Sequence, residues 1–106
     1  MNGEGTMQND NGETYVGGWR DNLKSGEGEY AWPNGNRYEG NYREDKRDGY
    51  GTMHYHNGEY YKGYWKDGVK HGEGTYQTKQ YAVQGVWEMG QLTIEVAKRD
   101  SLPDRP

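Results

Sequence analysis

The chain has 106 residues, enough for one domain, and its 29% hydrophobic content would read as disorder if the apolar surface were not concentrated in 11 Tyr and 4 Trp. A net charge of −4 and a pI of about 5.3 argue against a nucleic-acid binder. There is no Cys, which excludes disulfides, thiolate nucleophiles and Cys-based zinc sites. No stretch approaches the roughly 18 apolar residues of a membrane span, and Met1-Asn2-Gly3-Glu4 has no apolar signal-peptide core, so a cytoplasmic setting is expected.

Along the chain the sequence repeats every 23 residues. Gly3, Gly26, Gly49 and Gly72 hold one position of the period, and Gly5, Gly28, Gly51 and Gly74 another. Tyr15, Tyr38 and Tyr61 recur in step, as do Gly17, Gly40 and Gly63, and then Trp19, Tyr42 and Trp65. Each unit reads as a β-hairpin. Asn11-Gly12, Asn34-Gly35 and Asn57-Gly58 stand midway between two extended runs, and Asn-Gly favours a type I′ turn. First strands are predicted over 3–9, 26–32, 49–55 and 72–78, and second strands over 14–20, 37–43, 60–66 and 82–88, joined by polar links. The fourth unit lacks the turn Gly, but one deletion recovers Gly85 and Trp87, with Val83 in the Tyr position. The units are divided as 3–25, 26–48, 49–71 and 72–90. Leu92, Ile94 and Val96 alternate and predict a capping strand over 91–97, followed by a flexible tail over 98–106.

Strand side chains alternate, so the period sorts the faces. One face collects Tyr15, Gly17, Trp19, Tyr38, Gly40, Tyr42, Tyr61, Gly63, Trp65, Gly85 and Trp87, and is the predicted core. The opposite face is polar, with Glu27, Glu29, Glu39, Asn41, Thr52, His54 and Lys62, and is interrupted by Tyr50, Tyr64, Val16 and Val86. Exposed Tyr is a common interface anchor, so Tyr50, His54, Tyr64, Glu39 and Lys62 are the candidates for holding a partner. The links carry Arg20, Arg43 and Lys66 in register, and Lys24, Arg47 and Lys70 likewise. They form a basic edge that anionic lipid would suit, but Asp21, Glu44 and Asp67 recur beside it, so a ladder of exposed ion pairs is expected.

Catalytic arrangements are weak. The Gly-x-Gly pairs lack the helix or Lys-Ser/Thr of a phosphate loop. His54 and His56 lack a third metal ligand, and Glu27 and Glu29 lack the sugar pocket that acid/base work needs. No enzyme activity, metal or cofactor is expected.

Tyr38-Glu39-Gly40-Asn41-Tyr42 and Tyr61-Lys62-Gly63-Tyr64-Trp65 resemble the Tyr-x-Gly-x-Trp core of MORN (membrane occupation and recognition nexus) repeats. Lys70-His71-Gly72-Glu73-Gly74 is similar to the closing segment of that motif, while Asp48-Gly49-Tyr50-Gly51 and Ser25-Gly26-Glu27-Gly28 lack its His. The likeness covers residues 3 to about 90. It implies an all-β fold of tandem hairpins in an elongated, twisted, single-layer antiparallel sheet. It also implies a protein-interaction scaffold in a cytoskeletal or ciliary setting, such as an axonemal radial spoke. The partner would be a helix or extended peptide in the sheet groove, with self-association through the end hairpins as a further expectation. The alternative it implies is recruitment to phosphoinositide-rich membrane through Arg20, Arg43 and Lys66, or a regulatory subunit of a lipid-signalling enzyme.

Overall fold

The computed structural model describes residues 3–100, with side chains to Val96. The nine strands among these described residues lie in one antiparallel sheet in chain order: β1 (Gly3–Gln8), β2 (Thr14–Arg20), β3 (Leu23–Ala31), β4 (Arg37–Arg43), β5 (Lys46–His54), β6 (Tyr60–Lys66), β7 (Val69–Gln77), β8 (Tyr81–Glu88) and β9 (Gln91–Asp100). The strip measures 54 × 25 × 18 Å. Its thinnest dimension far exceeds the depth of one flat pleated sheet, so the strip is strongly twisted.

The buried side chains lie on the ringed face, with Trp19 only partly buried. Tyr15, Tyr38 and Tyr61 are fully buried, and Tyr42, Met53, Trp65, Val83 and Trp87 nearly so. Burial this complete in one layer requires the strip to curl towards its ringed face, called the inner face below. Glycine makes the curl possible. Gly17 stands opposite Gly28, Gly40 opposite Gly51, and Gly63 opposite Gly74. Each Tyr ring lies flat over such a pair, and its hydroxyl donates to a carbonyl three residues on: Tyr15 to Gly18 at 3.0 Å, Tyr38 to Asn41 at 2.9 Å and Tyr61 to Tyr64 at 3.1 Å. Neighbouring units then meet ring to edge, with Tyr38 between Tyr42 and Trp65, and Tyr61 between Trp65 and Trp87.

Three expectations are corrected. First, the links are not loops. Asp21-Asn22, Glu44-Asp45, Asp67-Gly68 and Met89-Gly90 are two-residue turns with positive φ at both positions, the signature of type I′. β3, β5 and β7 therefore start three residues earlier than predicted. The extra residues are absorbed by a bulge: Ser25, Gly26 and Glu27 on β3 face only Gly18 on β2, and the same shift recurs after Gly40 and after Gly63. Gly26, Gly49 and Gly72, at φ of 77°, 94° and 104°, make the bulge.

Second, the Asn-Gly turns are not type I′. Only the Gly has positive φ, and Gly12 N donates to Asn9 O while Asn9 N donates to Glu13 O. This is a three-residue loop with a bulged Gly. The Asn side chain closes it, since Asn11, Asn34 and Asn57 Oδ1 accept from the amide two residues on.

Third, β9 reaches Asp100, three residues into the segment expected as tail; 101–106 lie outside the described residues. β9 does cap β8, but it does not hide its own apolar side chains, because Leu92, Ile94 and Val96 are all exposed. Leu92 sits over Gly85 in the manner of a core ring, while Ile94 stands opposite Val86 on the outer face.

Candidate functional site

The outer face carries all five partner candidates, in two groups. Tyr50 and Tyr64 are directly opposite on β5 and β6, their rings 5.3 Å apart and nearly perpendicular, and both are close to half exposed. Alternation fixes this: Gly51 and Gly63 point inward beneath the Tyr38 and Tyr61 rings, so their neighbours Tyr50 and Tyr64 must point out. Lys62 joins them at a shallow cavity of about 460 Å³, with Glu73, Thr75, Val86 and Val96. Glu39 and His54 stand apart in a cross-strand network. Arg37 Nη1 lies 2.9 Å from Glu39 and 3.2 Å from Glu29, and His54 Nε2 lies 3.3 Å from Glu39. One guanidinium is thus shared between two carboxylates. Sequence reasoning placed Ile94 and Val96 in a cap and missed them as surface; pairing with β8 carries the apolar stripe from Tyr50 and Tyr64 through Val86 to the sheet edge.

The inner face holds the larger correction. Lys24, Arg47 and Lys70 are not members of an exposed edge. They pair with Trp19, Tyr42 and Trp65, and the bulge keeps them on the ringed side. Lys24 Nζ lies 5.6 Å from the Tyr15 centroid, Arg47 Cζ 4.8 Å from Trp65, and Lys70 Nζ 5.5 Å from both Tyr61 and Tyr76. Burial first, and Arg47 second, depress the Lys70 pKa below the usual lysine value. Burial pushes the Tyr15 and Tyr61 hydroxyls up to about 12, with the Glu4 and Asp45 carboxylates adding to it at Tyr15.

A family model for the MORN repeat matches three consecutive segments, 15–37, 38–60 and 61–80. The chain belongs to the MORN repeat family. The matched segments cover more than half of it, and each of them opens on a fully buried Tyr. MORN repeats are interaction modules with protein or membrane partners. A search of curated proteins returned no match.

Backbone bonds join successive MORN units across the links. Asp45 N donates to Lys24 O at 3.0 Å, Gly68 N to Arg47 O at 2.9 Å, and Gly90 N to Lys70 O at 2.9 Å. Lys24 Nζ also pairs with Asp45 at 3.2 Å. Arg20, Arg43 and Lys66, the lipid candidates, are exposed at the strand ends that enter the links.

Proposed function

We propose that this MORN chain is a non-catalytic scaffold that holds a protein partner against the outer face of its sheet. The observation that supports this is the exposed Tyr50–Tyr64 pair and its continuation into Val86, Ile94 and Val96. Contiguous exposed apolar surface of this kind is unusual on a monomer, and Tyr loses little entropy when it is anchored. The family likeness supports a cytoplasmic setting in a cytoskeletal or axonemal assembly such as a radial spoke, which is an argument by analogy. Arg20, Arg43 and Lys66, exposed and in register, favour a second reading in which the link edge meets anionic membrane, alone or as the regulatory part of a lipid-signalling enzyme.

One experiment separates the two. Tagged wild type, Tyr64→Ala, and a triple variant with Arg20, Arg43 and Lys66 changed to Ser are each purified from the native cell and floated with acidic liposomes. The scaffold predicts a defined set of cytoskeletal proteins held by wild type and by the triple variant, lost at least tenfold by Tyr64→Ala with unchanged melting. Equal recovery by Tyr64→Ala removes the outer face. Flotation that only the triple variant loses gives the function to the membrane.

A further inference from the structure

The three inner-face cations sit in equivalent places but not in equivalent electrostatic surroundings. Lys24 has a counter-ion, because Asp45, in the link one unit on, reaches its ammonium at 3.2 Å and its amide at 2.8 Å. The residue that faces Arg47 in the same way is Gly68, and the one that faces Lys70 is Gly90. The carboxylate is missing in both. Arg47 Nη2 takes the Gly68 carbonyl at 2.8 Å instead. Among the described residues no carboxylate lies within ion-pair distance of Arg47 or Lys70. Glu59, at the end of the same unit, accepts the Tyr76 hydroxyl. The chain carries a net charge of −4, yet this stretch of its inner face presents two partly buried cations in a row with no carboxylate in contact, since Asp45, which lines the same cavity as Arg47, is paired with Lys24.

From this geometry we infer that Arg47 and Lys70 form an anion site for an acidic peptide segment lying along the inner face. The rings beneath the cations account for their position, but each replaces only part of the lost hydration. A carboxylate arriving from outside occupies the place that Asp45 fills beside Lys24. Spacing argues for a peptide over a single small anion. Arg47 and Lys70 are one unit apart, two strands of about 4.8 Å each, so roughly 10 Å separates the positions. A peptide spans that distance with acids at i and i+7 in a helix, at about 1.5 Å per residue. It does so at i and i+3 in a polyproline II segment, at about 3.1 Å per residue. Trp32 and Tyr55, partly buried on this face, offer apolar contact beside the charges. The site is on the opposite side of the sheet from the outer-face stripe, and it stands whether or not that stripe binds a partner.

The test is phage display of random peptides on the intact protein, followed by titration of the enriched peptides against wild type, Arg47→Gln, Lys70→Gln and the double variant. Melting curves, together with Arg47→Lys, keep loss of fold distinct from loss of charge. Expected are peptides with two acids at one of the two spacings, weakened at least tenfold by either Gln variant, by Glu→Gln in the peptide and by raised salt, and retained by Arg47→Lys. Chemical-shift changes at the Trp65 indole N–H would accompany binding. Enriched peptides that lack acids, or that bind the double variant as well as wild type, overturn the proposal. So does a panning result with no such peptide alongside phosphatidylserine vesicles that the double variant fails to bind, which would make the occupant a membrane.

Discussion

At the residue scale the fold depends on one repeated arrangement: a Tyr ring laid over two facing glycines. A Cβ at Gly63 would stand 2.6 Å from Glu73 O and 2.7 Å from Tyr61 Oη, so neither the backbone nor the ring has room to yield. Gly63→Val is expected to destabilise the domain by about 3 kcal/mol or more, the upper end of overpacking costs. A thermal melt checks it, and a variant with wild-type melting would mean that the ring does not lie there. This much was legible, because the alternation of Tyr, Gly and Trp leaves a single choice of inner face. A subtler pairing is also present in the sequence. Tyr30 donates to the Glu13 carboxylate, and Tyr76 to Glu59 at 3.1 Å. In the unit between them the ring is replaced by Met53, and the matching carboxylate by Asn36. The two positions change together, although they lie 17 apart in the chain.

At the element scale the second strands and β1 match the predicted bounds to within a residue, while the starts of β3, β5 and β7 and both kinds of turn do not. The reason is physical. Asn-Gly is the usual sign of a type I′ turn, but here the Gly amide donates to the carbonyl three residues back and the Asn side chain accepts from the amide two residues on, which closes a longer loop. The tight turns fall at Asp21-Asn22, Glu44-Asp45, Asp67-Gly68 and Met89-Gly90, of which only Asp67-Gly68 carries a comparable sign. Their positive φ is imposed by the two strands they join and by the bond from each link to the unit before it. A bulge three residues later was equally invisible, since the Gly that makes it reads as one more flexible residue. The outer-face pair Tyr50 and Tyr64 could be read from alternation; Arg47 and Lys70 could not, because their side depends on where the link ends. Local strain remains at Met89, which is exposed and sits at φ 50°. A left-handed residue other than Gly, Asn or Asp costs roughly 1–2 kcal/mol. Met89→Asn, which completes an Asn-Gly type I′ pair with Gly90, is expected to recover about 0.5–1 kcal/mol of that. Chemical denaturation measures it, and no gain would show that the turn is held at no cost by the strands around it.

At the scale of the whole molecule, nine strands in chain order form a stack in which each unit touches only its neighbours. Its cohesion comes from phenols that burial keeps protonated. Tyr15 and Tyr61 are raised from 10.0 to about 12, chiefly by burial, and Tyr38 and Tyr42 further up, by burial working against Arg47. The sign follows from which form each state holds. Raised native pKa values mean that the folded chain keeps protons the unfolded chain releases first, so their contribution is complete below pH 10 and is lost as pH climbs from 10 through about 12. Each ring also packs on the next unit, Tyr15 on Tyr42 and Tyr38 on Trp65, so ionising one loosens two units. Alkaline unfolding is therefore expected as one steep transition, in which the ring-carbon resonances of Tyr15, Tyr38 and Tyr61 shift to tyrosinate together with the loss of strand signal. Ring ionisation that runs ahead of unfolding would mean that water reaches the rings while the sheet is intact, and a curl tight enough to seal them would then be the wrong account of how one layer of strands makes a core.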